Sequence, residues 1–200
     1  SALVAAGALS LADGVKLVAE RGRLMQEAVP AGTGAMAAIL GLEVDAVRAA
    51  CAQAAQGDVV EAVNLNAPGQ VVIAGSKAAV ERAIEACKAA GAKRAVALPV
   101  SVPSHCALMK PAAEKLAVRL QELAIVVPPV PVINNVDVSV AASADAVRDA
   151  LVRQLYSPVR WVETVGKLAG EGAQLVVECG PGKVLTGLNK RVAKDAECVC

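Results

Sequence analysis

Residues 59–75 read VVEAVNLNAPGQVVIAG, two runs of mostly apolar, β-branched-rich sequence separated by Ala67-Pro68-Gly69. Proline presets the backbone for a turn and glycine tolerates a positive φ, so this tripeptide favours a reversal of the chain. The pattern therefore predicts a hairpin whose strands cover residues 59–65 and 71–75.

The sequence on either side of this hairpin extends the pattern. Helical periodicity covers residues 44–55 before it and residues 78–90 after it, and further strands are predicted over residues 35–42 and 94–100. The resulting order, βαββαβ, is the ferredoxin-like arrangement. We expect one antiparallel sheet with both helices on the same face.

The outer parts of the chain follow a different pattern. An amphipathic helix is predicted over residues 11–28 and ends at Pro30-Ala31-Gly32. Helices and strands then alternate after His105, as in a parallel α/β sheet. The predicted helices cover residues 105–123, 143–157, 161–169 and 183–192, and the predicted strands cover residues 128–132 and 174–178. We interpret this as a small α+β insert at residues 32–101 within a larger α/β domain at residues 1–31 and 102–200.

Composition argues against several classes of function. The 200 residues carry a net charge of +1 with both signs interspersed, and only 1% are aromatic, so nucleic acid is not an expected partner. No apolar run approaches the roughly 20 residues of a membrane span. The six cysteines are scattered without the spacing of a zinc site, which predicts no metal and indicates reduced thiols in a cytoplasmic protein.

His105 is the only histidine, and it follows the stretch Pro99-Val100-Ser101-Val102-Pro103-Ser104. Any imidazole that acts as an acid or base near neutral pH must be this one. The prolines predict an extended segment before a helix start, where the positive end of the helix dipole would keep the imidazole neutral. The alternative is a histidine that only satisfies a local hydrogen bond.

Arg21 lies on the apolar arc of the predicted helix at residues 11–28, between Val18 and Ala28. A buried guanidinium is costly unless an acceptor meets it, and its fork suits a carboxylate. A structural ion pair with an acidic residue elsewhere is one interpretation of Arg21, and an anchor for a substrate carboxylate is the other.

In the hairpin, Asn66 and Gln70 are typical turn residues that could line a cleft.

Four segments together resemble the bacterial malonyl-CoA:acyl carrier protein transacylase family. They are SVPSHCALM at residues 101–109, NLNAPGQ at 64–70, QLYSPV at 154–159 and GPGKVLTG at 180–187. The resemblance covers essentially the whole chain. It implies an α/β-hydrolase-like acyltransferase domain, here partial, with a ferredoxin-like insert, in agreement with the predicted element order.

The resemblance also implies a reaction and its residues. The reaction is transfer of a malonyl group from malonyl-CoA to the phosphopantetheine thiol of acyl carrier protein, through a malonyl-serine intermediate, in fatty acid biosynthesis and with no cofactor. His105 would be the base, the main-chain carbonyl of Gln154 would orient it, and Arg21 would hold the malonyl carboxylate. The further candidates for substrate binding are Met36, Asn66, Gln70 and Ser104, and those for docking the acidic carrier protein are Lys190 and Arg191.

One departure from the family pattern concerns the nucleophile. The family's serine sits in a Gly-His-Ser-x-Gly-Glu elbow directly upstream of the segment that begins here at Ser1, and the 200 residues lack this motif. Ser1 corresponds to a position a few residues after the elbow and is not a candidate nucleophile. We therefore expect an acyltransferase as the parent protein and no activity from the 200 residues alone.

Two other functions stay open from the sequence. One is the acyltransferase domain of a polyketide synthase. The other is a non-catalytic module that binds a carrier protein, since the βαββαβ order hosts many functions. The arginine on an apolar face and the Pro-Ser-His context argue against the module, because docking requires neither.

Overall fold

A computed structural model describes residues 1–100 and 102–200 of the chain. Eight α-helices and eight strands occur in this described part. In chain order they are α1 (Ala2–Ala5), α2 (Leu11–Ala28), β1 (Gly34–Leu40), α3 (Val44–Ala55), β2 (Val60–Ala67), β3 (Gln70–Ser76), α4 (Lys77–Ala89), β4 (Arg94–Ala97), α5 (Lys110–Gln121), β5 (Ile133–Asn134), β6 (Ser139–Val140), α6 (Ala144–Arg153), α7 (Trp161–Gly170), β7 (Leu175–Val177), α8 (Val184–Val192) and β8 (Glu197–Val199). A short 3-10 helix (Ala107–Met109) precedes α5.

The central feature is a four-stranded sheet in the order β2-β3-β1-β4, with every neighbouring pair antiparallel. This order confirms the ferredoxin-like prediction, because β3 of the hairpin lies between β1 and β2 as a split βαβ unit requires. The hairpin turns at Pro68 and Gly69, and Gly69 has a φ of +66° that suits glycine.

Both helices of this unit cover one face of the sheet, as predicted. Strand residues alternate between the two faces, so Ala37, Ile39 and Ile73 all point toward α3 and α4. There they form one core with Val47 and Val80, and each of these five residues is at most 1% exposed.

The opposite face of the sheet packs on the rest of the chain. Met36, Val63, Val72 and Ala74 form a smaller cluster with Cys106, the residue after His105. At the free edge of β2, the backbone also exchanges two hydrogen bonds with Val159: Leu65 N to Val159 O at 2.9 Å, and Val159 N to Val63 O at 2.8 Å. The sheet thus contacts the segment that carries the histidine through Cys106, and it contacts the segment after α6 through Val159.

A second core joins α2, α5 and α6. Leu17 and Leu24 of α2 pack with Leu116 and Leu120 of α5 and with Val147 of α6. The division into domains at residues 31/32 and 101/102 stays a prediction, and its second boundary includes Ser101, which lies outside the described residues.

Of the two strands predicted in the outer part, one is wrong and the other is confirmed. Residues 128–132 are not a strand, because prolines at 128, 129 and 131 lack the N–H that strand pairing uses, and the short β5 begins only at Ile133. The strand predicted over residues 174–178 is present as β7, where Leu175 and Val177 are exposed. β7 pairs in parallel with β8, and this is the only parallel strand pair in the described sheets.

No helix in the described part is both long and apolar enough to cross a membrane.

Candidate active site

His105 is held at the C-terminal end of α6 by two hydrogen bonds. Its Nδ1 lies 2.8 Å from the carbonyl oxygen of Gln154, and its backbone N–H donates to the carbonyl of Leu155 at 3.0 Å. Carbonyls at a helix C-terminus lack intrahelical partners and are available as acceptors. Because a carbonyl can only accept, Nδ1 carries the ring proton and Nε2 keeps its lone pair. The ring is therefore presented as a base at Nε2.

The backbone of His105 has a φ of +67°, in the left-handed region that non-glycine residues rarely adopt. A left-handed conformation costs an L-residue roughly 1–2 kcal/mol. The two bonds to the end of α6 offset this cost. After His105, Ala107 N–H donates to the Glu61 carboxylate at 3.3 Å, which ties the 3-10 helix to β2.

The setting of His105 differs from the predicted helix N-terminus. The 3-10 helix begins two residues later at Ala107 and α5 only at Lys110, while the imidazole bonds to the C-terminal end of a different helix. The pKa of His105 is nevertheless lowered from its usual 6.5, first by burial and then by the positive charge of Arg21, with the Gln154 carbonyl acting in the opposite direction. Burial, assisted by the charge of Arg21, thus favours the neutral imidazole.

Arg21 approaches this histidine from α2. Its Nε is buried and has no hydrogen-bond partner in the structure. Burial lowers the pKa of Arg21, and no carboxylate within residues 1–100 and 102–200 acts to raise it. The structural ion pair considered from the sequence is therefore not formed in the described part of the chain. The guanidinium has an unmet need for an acceptor.

A cavity of about 650 Å³ lies beside Arg21 and Gln154. Its walls include the exposed apolar side chains Leu11, Val15 and Val18, which share the arc of α2 with Arg21. One part of the apolar arc of α2 thus packs in the protein core, and the other part lines this cavity. A carboxylate that entered the cavity would find one cation in apolar surroundings, where charge-assisted hydrogen bonds are strong.

The remaining predicted site residues are more dispersed. Ser104 is half-buried directly before His105, and Met36 is buried in the cluster around Cys106. Asn66 is half-buried on β2. None of these three lines the cavity described above.

Arg191 and Gln70 bind each other. The Arg191 guanidinium donates to Gln70 Oε1 at 2.6 Å and to the carbonyl of Pro68, which joins α8 to the hairpin turn. Gln70 is therefore directed to α8 and does not line the cavity. Lys190, beside Arg191, is exposed.

Sequence reasoning missed two polar residues near the histidine. Glu61 falls within the strand predicted over residues 59–65, and Asn135 follows the strand predicted over residues 128–132. Asn135 Oδ1 accepts a hydrogen bond from Gln154 Nε2 at 2.7 Å. The adjacent asparagines at 134 and 135 are the only signal that could have drawn attention to this segment. In the described part of the chain, no three histidine, cysteine or carboxylate side chains are grouped as a metal ion would require.

Comparison with known proteins places these observations in a family. The family model for the acyl transferase domain matches residues 1–199. The malonyl CoA-acyl carrier protein transacylase of Escherichia coli K12 is 64% identical over 192 residues, which are 96% of this chain and 62% of that protein.

Solved structures agree. An acyl carrier protein S-malonyltransferase from Vibrio cholerae superposes with a TM-score of 0.97 at 61% identity, over 98% of this chain and 64% of that one. A malonyl-transacylase solved in complex with a type II polyketide synthase acyl carrier protein gives a TM-score of 0.97 at 57% identity, over 99% of this chain and 64% of that one. The chain thus spans a little under two thirds of the length of these relatives.

Proposed function

Because this chain belongs to the acyl transferase domain family, we propose that the protein containing it transfers malonyl groups from malonyl-CoA to the phosphopantetheine thiol of an acyl carrier protein. The observation that carries the proposal is Arg21, whose buried Nε has no hydrogen-bond partner in the described part of the chain and which lies beside a cavity and a neutral histidine. A malonyl group carries a free carboxylate in addition to its thioester, and that carboxylate supplies the missing acceptor.

The first half of the reaction loads a serine. We place this serine in the family's elbow just upstream of Ser1, and Ser1 itself lines the cavity that Arg21 and Gln154 share. His105 Nε2 takes the proton of the serine hydroxyl as its oxygen attacks the thioester carbonyl. The carbon–sulfur bond then breaks, and the CoA sulfur leaves with the proton from the imidazolium. The Gln154 carbonyl stabilises the imidazolium through the Nδ1–H bond.

The second half returns the enzyme to its starting state. The carrier's phosphopantetheine thiol gives its proton to His105 and attacks the malonyl-serine ester. The carbon–oxygen bond breaks, and the serine oxygen recovers the proton from His105. Burial supports this role, because a histidine with a lowered pKa is neutral and ready to accept a proton at pH 7.

The carrier protein is the proposed partner, and a relative solved with an acyl carrier protein supports this choice. Lys190 is exposed and free to meet an acidic carrier, whereas Arg191 already bonds to the hairpin turn. Lys190 is therefore the stronger candidate for docking. Met36, Asn66, Gln70 and Ser104 remain proposals for substrate binding, with Ser104 favoured by its position next to His105. We assign the reaction to fatty acid biosynthesis in the cytoplasm, where six free cysteines would stay reduced.

A transfer assay tests the function. The full-length protein is incubated with radiolabelled malonyl-CoA and a carrier protein, with or without its phosphopantetheine arm. We expect label on the carrier only when the arm is present, and loss of at least about 10²-fold in rate for His105→Ala. Label on the carrier without its arm, or an unchanged rate in His105→Ala, would contradict the proposal.

A further inference from the structure

The segment from Ile133 to Val140, which we call the Asn135 hairpin, is attached to the C-terminal end of α6 by two side-chain contacts. Gln154 Nε2 donates to Asn135 Oδ1 at 2.7 Å, and Arg153 pairs with Asp137 at 2.7 Å. The same end of α6 supplies the two carbonyls that hold His105. The hairpin is therefore two hydrogen bonds away from the imidazole.

Asn135 is itself firmly placed. Its backbone carbonyl accepts a hydrogen bond from Arg160 N–H at 3.0 Å, which ties the hairpin to the start of α7. The reversal of the hairpin is closed by a bond of 2.8 Å from Val138 N–H to Asn134 O. The Asn134 side chain closes it further by donating to Ser139 O at 3.2 Å. Asn135 Oδ1 is thus a fixed acceptor on a short, closed loop.

Gln154 is placed less firmly by its own helix. It lies at the C-cap of α6 with a φ of −58°, and its N–H still bonds to Ala150 O at 3.0 Å. Its carbonyl, however, bonds to His105 and not within the helix, and the ends of helices fray. The side-chain bond to Asn135 restrains the residue beyond what the last helical turn provides. Rotation of the Gln154–Leu155 peptide would move the acceptor of the imidazole proton.

We propose that Asn135 is a positioning residue for the base: it fixes the Gln154 side chain, and through the Gln154 carbonyl it sets the orientation and tautomer of His105. Without Asn135, the Gln154 carbonyl is held less well, and the ring proton is no longer confined to Nδ1. Part of the protein then carries the proton on Nε2, the nitrogen that must accept a proton from the serine. The consequence for transfer rests on the proposed function, whereas the consequence for the tautomer does not.

The test uses the full-length protein and three variants. Asn135→Ala removes the acceptor, and Gln154→Ala removes the same hydrogen bond from its other end while keeping the backbone carbonyl. Asp137→Ala is the matched control, because it breaks the second tie between the same hairpin and the same helix end but leaves the Asn135–Gln154 bond in place. Imidazole ¹⁵N chemical shifts, assigned with His105→Gln, report the tautomer without substrate. Transfer rates report its effect on the reaction.

We expect the unmodified protein and Asp137→Ala to keep the proton on Nδ1, and Asn135→Ala to show a mixture of tautomers. In Asn135→Ala, kcat should fall about three- to tenfold, the factor that corresponds to one neutral hydrogen bond, with KM for malonyl-CoA little changed. The double variant Asn135→Ala/Gln154→Ala should have the same kcat as Gln154→Ala alone, since both changes remove the same hydrogen bond. If Asn135→Ala does not fold, Gln154→Ala alone must show the tautomer mixture.

A single Nδ1–H tautomer in Asn135→Ala and Gln154→Ala would overturn the proposal, as would the same mixture in Asp137→Ala. An unmodified protein that transfers no malonyl group would overturn the proposed function instead, and the ¹⁵N shifts would still decide the role of Asn135.

Discussion

If the proposed function is right, replacing Arg21 by alanine should change which acyl group the full-length protein uses. Arg21 Nε is buried beside an apolar cavity and has no partner in the structure. A malonyl carboxylate can accept two parallel bonds from the guanidinium, whereas an acetyl group offers no acceptor and leaves the buried cation unpaired. Under the proposed function, the arginine would therefore favour malonyl-CoA over acetyl-CoA.

The size of the effect follows from the number of bonds lost. One hydrogen bond to a charged group contributes about 1.5–3 kcal/mol, which corresponds to roughly 10- to 150-fold in rate. A bidentate pair corresponds to about 10²- to 10⁴-fold. We expect kcat/KM for malonyl-CoA to fall within this range in Arg21→Ala, while kcat/KM for acetyl-CoA stays the same or rises. Arg21→Lys should recover part of the loss, because an ammonium keeps the charge but not the fork.

The assay is the ratio of kcat/KM for malonyl-CoA to kcat/KM for acetyl-CoA in the full-length protein. Arg23→Ala is the matched control, since Arg23 lies on the same helix but is exposed and pairs with Glu27 at 2.7 Å. Its ratio should equal that of the unmodified enzyme. A folded Arg21→Ala variant with an unchanged ratio would show that Arg21 does not bind the malonyl carboxylate.

Two further predictions concern pH and packing. Burial and the charge of Arg21 lower the pKa of His105 below 6.5, so kcat/KM should fall only when the pH drops through a value under 6.5. In Arg21→Ala the positive charge is gone, and this fall should occur at a higher pH. A pH–rate profile in which the fall stays at the same pH would show that the charge of Arg21 does not affect His105. Gly75→Ala should destabilise the protein by about 3 kcal/mol or more in urea titrations, because a Cβ would lie 2.0 Å from the backbone oxygen of Val59. The exposed helical Gly22 meets nothing within 4 Å, so Gly22→Ala should instead stabilise by about 1 kcal/mol, and equal effects of the two changes would refute the packing argument.

The ferredoxin-like unit was predictable because its signals are local. The hairpin turn, the alternation of its strands and the periodicity of α3 are all contained in a few residues each, and α3 covers the predicted residues 44–55. The outer part was predicted less well. β8 and β6 are two or three residues long and form only by pairing with β7 and β5, so no periodicity within them indicates a strand.

The site residues also differ in whether local sequence could predict them. Arg21 could be selected from its helix alone, because its place on an apolar arc depends only on the 3.6-residue repeat. The Gln154 carbonyl could not, since a main-chain acceptor leaves no mark on residue type, and only the family resemblance pointed to it. Asn135 was missed for a related reason: its partner lies 19 residues further along the chain, across a turn and a helix.

The way the chain enters and leaves the ferredoxin-like unit has a consequence for folding order. A Cβ on Gly34, at the start of the unit, would lie 2.5 Å from Pro103 at its end, so the two connections run side by side. Loop closure becomes easier as the loop between two segments shortens. The helices α2 and α5 are far apart in the sequence. Once the unit has folded, its two ends lie together, and the unit then acts as a short loop between these helices. Pulsed hydrogen exchange during refolding should therefore detect protection in β1 and β3 before α2 and α5, and the cavity beside Arg21 and Gln154 should be the last part of the molecule to form.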